Sequence, residues 1–452
     1  MKLLKGLLLL VTAVSLIGCT PSKPNGNSNQ SEPSQTGSDS IARLEYVNRI
    51  EKPSSTVKTM AELAEIVDYN TFYHNPDFKV TIASDFEYKT QQKAVKNEIN
   101  YLYWYSELVN GTTGIMGTDN KDGTWSIHLT FYENAVVSTR PSRTLYTDLF
   151  YQEPEADLGE YTYKTDDESK PIADVYTSQQ LWYAAEHNYR INVFADSPAE
   201  KYYNKSKEVL KKLVTDEMTD YEKTMRIYDY IEHHATYSYQ AAYDLPDSKD
   251  PVNYPDDYAA TYKAYYLEGF FDDACVVCDG FSKVYTLLGK MAGLEIVRAI
   301  GTSDKSWTSK EVAGHAYCYV KINGRYYLSC PTWGQSSLSN GAVVTNKKYF
   351  LSPKNYIRPY DSNMWEDFTF TSGSSNINYF KLNKVKINNT DYSAYISSIE
   401  ELNAVTTLFE GSKASYMNLC FDNENLLNSI SSSRKYTVIK IENTLQAILY
   451  IV

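Results

Sequence analysis

The 452-residue chain holds little of what most often carries chemistry or cross-links, with six histidines and six cysteines. Base is also short: 44 Lys and Arg against 56 Asp and Glu give a formal charge of −12. That balance argues against nucleic acid as a partner, because such binding rests on neutralising phosphates. Six cysteines in a chain this long exclude a dense disulfide scaffold. After the first residues, no apolar run is long enough to cross a membrane. No fixed short period supports a solenoid. At this length two or three domains are expected.

What is present starts at the amino terminus. "MKLLKGLLLLVTAVSLIGC" has a basic start at Lys2 and Lys5, then an apolar run over residues 7–17 that is too short to span a bilayer. Its end, "LIGC", resembles the lipobox of bacterial lipoproteins, where the leader is cleaved and the cysteine lipidated. The resemblance implies a leader over 1–18, lipidation at Cys19, and anchoring on the outer face of the cell membrane. An ordinary secretory leader with a chance cysteine is the alternative. Loss of Lys2 and Lys5 with the leader would take the charge from −12 to −14. Residues 20–40, "TPSKPNGNSNQSEPSQTGSDS", hold nothing able to anchor a core, so 19–44 reads as a lipidated tether. The 42 tyrosines fit a half-buried, β-rich surface more simply than stacking on sugars or peptides.

Residues 45–170 read as an α+β domain. "KTMAELAEIVDYN" predicts a helix, "DFKVTIASDF" a strand and "QQKAVKNEINYLYWYSELV" an amphipathic helix. "TDNKDG" turns into "TWSIHLTFY", where Trp125, Ile127, Leu129 and Phe131 alternate on one face. A calcium loop is excluded there, because Thr118 and Leu129 stand where oxygen ligands from carboxylates are needed. "TMAELAEIVDYN", "TSQQLWYAAEHN" and "SSIEELNAVTTLF" echo one another, each with a Thr or Ser start, an acid or amide, and then Leu. They predict short α/β units reused along the chain. "AEKYYNKSKEVLKKLV" predicts a further helix, and Thr219 with Glu222 has the spacing of a capping box. Residues 353–452 form a last α+β region.

"ACVVCDGFSKVYTLLGKMAGLE" predicts a helix with apolar residues at 281, 284, 285, 288 and 291, ended by Gly293. Cys278 then opens that helix, where free N–H groups and the dipole favour a thiolate. A small buried core cysteine is the alternative. "GHAYCYVKINGRYYLSCPTWG" predicts a hairpin, since Asn323-Gly324 is a strong two-residue turn. That turn pairs Ile322 with Arg325. His315 then faces Thr332, has Cys330 as its diagonal neighbour on the same face, and leaves Cys318 on the other. A Cys318–Cys330 disulfide is therefore not expected.

A helix-opening cysteine, a histidine on one strand and an orienting residue on the next resemble the transglutaminase-like superfamily, which has a papain-type cysteine hydrolase core. "VCDGFSK", "GHAY" and "YYLSCPTW" carry the resemblance, over about 171–352. It implies an α+β fold with the cysteine helix packed on an antiparallel sheet. It also implies Cys278 as nucleophile and His315 as general base. The third position, normally the Asp of a "D-x-T-W" run, falls on Cys330, and Cys318 stands where members often carry Asn.

Three functions are open on this reading. One is a peptidase, amidase or amide-transfer enzyme on cell-surface or cell-wall peptides. The second is a non-catalytic binding module. The third is a metal or redox site, either Cys275, Cys278, His315 and Cys330 as a Cys₃His zinc set or a Cys275–Cys278 disulfide. The first two imply no cofactor. The proline-bearing loop over 244–257 is a candidate wall of the cleft.

Overall fold

The computed structural model describes residues 52–86, 102, 106–108, 115–131, 138–243, 262–302, 314–353, 358–359, 373, 377–381, 384–387 and 389–451. The leader, Cys19, the tether, most of the helix expected over 91–109 and the proline-bearing loop lie outside these residues.

The amino-terminal unit contains β1 (Thr56–Val57), α1 (Met60–Phe72), β2 (Asp77–Ile82), β3 (Ile115–Asp119) and β4 (Thr124–Leu129). Its sheet runs β1-β2-β4-β3. Trp125, Ile127 and Leu129 alternate into the core that this sheet shares with Leu63 and Val67 of α1. The "DNKDG" segment is the β3–β4 turn. Lys121 donates to Asp119 and Thr124 to Asp122, so both carboxylates have partners within the turn.

The central elements are β5 (Ile172–Val175), α2 (Ser178–Glu186), β6 (Arg190–Val193), α3 (Pro198–Leu213), α4 (Asp220–His234), β7 (Thr236–Tyr237), α5 (Tyr239–Tyr243), α6 (Leu267–Phe271), β8 (Cys275–Val276), α7 (Cys278–Met291), β9 (Ile296–Thr302), β10 (Gly314–Ile322), β11 (Arg325–Ser329), β12 (Gln335–Ser337), β13 (Val343–Thr345) and β14 (Arg358–Pro359). β15 (Lys384–Ile387), β16 (Thr390–Ser393), β17 (Tyr395–Ile396), α8 (Ile399–Gly411), β18 (Tyr416–Phe421), α9 (Glu424–Ser429), β19 (Tyr436–Lys440) and β20 (Gln446–Ile451) follow. The fold is mixed α+β. One apolar core runs from Val175 and Leu181 through α7 to Leu419 and Leu449.

The three echoing segments are one structural device used three times. Thr59, Thr177 and Ser398 each cap a helix by accepting the N–H three residues on. For Thr59 and Thr177 the capping box is complete. In every case the strand before the helix pairs in parallel with the strand after it: β1 with β2, β5 with β6, β17 with β18.

The site sheet is antiparallel, in the order β11-β10-β9-β14. Asn323 and Gly324 both have positive φ, 51° and 78°, as a two-residue primed turn requires. The register follows from that turn, with Ile322 opposite Arg325 and Cys318 opposite Ser329. Cys318, Val320 and Ile322 face α7, while Tyr317, Tyr319 and Cys330 face away from it.

The apolar stripe of α7 is buried, but so are Asp279, Ser282, Lys283, Thr286 and Lys290, because α7 is enclosed by α2, α4, α6 and the sheet. Among the described residues the tyrosines divide between half-buried positions, as expected, and the core. Tyr228, Tyr285, Tyr317, Tyr319, Tyr326 and Tyr416 are among the largest fully buried side chains, each able to fill volume while its hydroxyl seeks a partner.

Candidate active site

Cys278 is the first residue of α7, after an extended Val277 that gives the helix no side-chain cap. The close packing behind it needs Gly280, since a Cβ there would lie 2.4 Å from the Ala264 carbonyl oxygen. The thiol is partly exposed. Burial of its surroundings is the main influence and pushes it up to about 11. The Ala316 N–H pulls it down, Asp279 pushes it up again, and Arg298 pulls it down. The expected thiolate is therefore not the resting form, because desolvation outweighs the helix terminus.

His315 lies on β10, beside Ala316. Its Nε2 is 3.2 Å from Cys330 Sγ. Its ring stacks on Trp333 at 4.4 Å between centroids and 9° between planes. Burial alone takes the imidazole down to about 3, so it is neutral. Burial likewise holds the Cys330 thiol well above its ordinary range. Two neutral groups can share a proton in two ways. Either the thiol donates to Nε2, leaving Nδ1 as an N–H, or Nε2–H donates to sulfur, leaving Nδ1 a lone pair. Only the second makes Nδ1 a base. Among the described residues no hydrogen bond joins Cys278 to His315.

The turn carrying Cys330 and Trp333 is held from below. Tyr228 Oη donates to the Cys330 carbonyl at 3.1 Å, and the Cys330 N–H donates to the Tyr349 carbonyl at 3.0 Å. Asn346 Nδ2 donates to the Trp333 carbonyl at 3.0 Å. Glu232 abuts Gly334 so closely that a Cβ there would meet Glu232 Oε1 and Tyr228 Oη. Glu232 and Asp229 both pair with the buried Lys347 ammonium. Beside Cys278, Asp279 pairs with Arg298 and with Lys283 Nζ at 2.7 Å, and Arg298 Nε donates to Ser282 Oγ at 3.1 Å. Asp279, Ser282 and Lys283 fall within "VCDGFSK" and Trp333 within "YYLSCPTW", whereas no motif marks Arg298, Asp229, Glu232 or Lys347.

The zinc and redox readings are corrected. Cys275, Cys278, His315 and Cys330 do not bring three donor atoms together. Cys275, on β8, is held among the hydroxyls of Ser238, Thr236 and Thr139, and all five described cysteines are free thiols. Cys318 lies on the opposite sheet face to Cys330, near the Ser282 carbonyl and Thr286. Two other groups do gather three donor atoms within 4.8 Å: Glu107, Glu186 and His187, and Asp229, Glu232 and His233. In the second, Lys347 already supplies the cation. In the first, His187 Nε2 lies 2.8 Å from Glu107 Oε2 and its Nδ1 donates to the Tyr183 carbonyl.

No family model and no curated protein matches the chain. Among solved structures, a TGase shares 18% identity at a TM-score of 0.21, covering 29% of this chain and 30% of its own. A candidate cysteine protease from Cytophaga hutchinsonii shares 12% at 0.19, covering 49% and 62%. A candidate protease from Parabacteroides distasonis ATCC 8503 shares 9% at 0.21, covering 75% and 61%. The chain thus spans less than two thirds of each of these proteins. Scores this low establish no shared fold, and the site stands on its own geometry.

Proposed function

We propose that the chain is a lipid-anchored protein on the outer face of the cell membrane, and that Cys278 attacks carboxamides of cell-surface or cell-wall peptides. His315 acts as base, and Cys330 stands in for the usual acid. The observation that carries the reading is the 3.2 Å contact between His315 Nε2 and Cys330 Sγ, one residue along β10 from the Ala316 N–H that meets the Cys278 thiol.

In the reaction, Nδ1 takes the Cys278 proton and sulfur attacks the amide carbon. The N–H groups opening α7 hold the tetrahedral oxyanion. The amine leaves with the proton from the imidazolium, and a thioester remains. Water or a second amine then attacks the thioester and regenerates the thiol. With the thiol at about 11 and the imidazole at about 3, the resting pair is uncharged, so proton transfer accompanies attack. This predicts slow chemistry.

The same neutrality favours a second reading, a peptide-binding module that keeps the architecture without turnover. Alkylation of Cys278 by iodoacetamide, followed by mass spectrometry in wild type and His315→Ala, separates the two. The enzyme reading requires His315-dependent labelling, whereas equal labelling in both proteins leaves the module.

A further inference from the structure

The imidazole of His315 is held by its face as well as by its edge. The edge meets Cys330 Sγ, a weak hydrogen-bond partner that also receives the N–H groups of Trp333 and Thr332. The face meets the Trp333 indole, with the rings nearly parallel at 9° and 4.4 Å between centroids. Tyr317, two residues on along β10, brings a second ring to 5.9 Å at 22°.

Trp333 is itself fixed. Its carbonyl accepts Asn346 Nδ2 at 3.0 Å, its ring meets Tyr349 edge-on at 5.1 Å, and Gly334 beyond it lies against Glu232 and Tyr228. The indole therefore sets the plane that the imidazole can take.

Charge beside the ring is scarce. Among the described residues no carboxylate, lysine or arginine pairs with His315, and burial alone governs its proton affinity. The titratable groups beside it are Cys330 of the turn, Tyr317 of β10 and Cys278 of α7, whose thiol meets the Ala316 N–H. Burial keeps all three neutral at pH 7. An imidazolium formed here has no anion to face. The negative face of an aromatic ring is the remaining partner for it, and indole is the strongest of these for a cation.

We infer that Trp333 is a positioning residue for His315: it fixes the plane of the ring and, through its π face, favours the imidazolium that the acid of a triad would otherwise stabilise. The part this plays in turnover rests on the reading of His315 as base, whereas the contact between the two rings does not.

An NMR titration of the His315 ring tests it, in the full chain carrying Cys330→Asp, whose carboxylate raises the imidazolium's stability and brings the titration to a workable pH. His315→Gln assigns the resonance. Trp333→Leu keeps the site apolar and removes the π face, so the midpoint is expected to fall by about 0.4–1.5 pH units, with Trp333→Phe in between. If the indole only shields the ring, the sign reverses, because water admitted to the site raises the midpoint. A midpoint that rises or stays in place in Trp333→Leu overturns the inference. Should that variant fail to fold, the same result in Trp333→Phe overturns it. The titration does not depend on Cys278, so labelling of Cys278 that ignores His315 would sink the enzyme reading and leave this measurement to decide the role of Trp333.

Discussion

Cys330 Sγ and His315 Nε2 meet at 3.2 Å, and neither group is charged at neutral pH. A carboxylate at that position would accept Nε2–H, make Nδ1 the basic nitrogen and stabilise imidazolium. Cys330→Asp is therefore expected to move alkylation of Cys278 to lower pH and to raise any amidase rate. The gain lies between about tenfold and the roughly 10⁴-fold that the acid is worth in a serine triad. An unchanged pH profile would rule out His315 as the base for this thiol.

His315 also ties stability to pH. Its imidazole falls from an ordinary 6.5 to about 3 on folding, so the unfolded chain binds the proton first. The stability it contributes is complete above about pH 6.5 and is lost as pH falls toward 3. Denaturant melts of wild type and His315→Gln across that window should show a shallower acid dependence in the variant. Parallel curves would mean that the ring is protonated equally easily in both states.

Gly334 is required by space. A Cβ would collide with Glu232 Oε1 and Tyr228 Oη, both on α4. Gly334→Ala should cost about 1–3 kcal/mol, as overpacking does. It should also disturb the Trp333–His315 stack, visible as changed tryptophan emission. A variant as stable as wild type would show that the turn yields easily.

The anchoring proposal has its own test. Cys19→Ala should leave an uncleaved precursor or release the protein from the membrane fraction. Processing and membrane partition like those of wild type would defeat it.

Local rules made much of this readable in advance. Asn323-Gly324 fixed a register, and that register put Cys330 and His315 on one sheet face before any coordinates. Thr59, Thr177 and Ser398 betrayed a recurring helix start, though not the parallel strand pairs around it, which are non-local. Protonation was not readable. The charge state of Cys278 depends on how much water the fold removes, and in sequence its helix-opening place pointed the other way. Nor could Asp229, Glu232 and Lys347 be paired by inspection, since 115 residues separate the last two.

The clamp on Cys330 has an evolutionary consequence. Its N–H is fixed by Tyr349, and its carbonyl by Tyr228 and the Gly334 N–H. All three attachments are to the main chain, so the side chain at this socket can be exchanged without unmaking the turn. A lineage could therefore silence or rekindle the neighbouring imidazole through one residue, with foldability left as an independent trait.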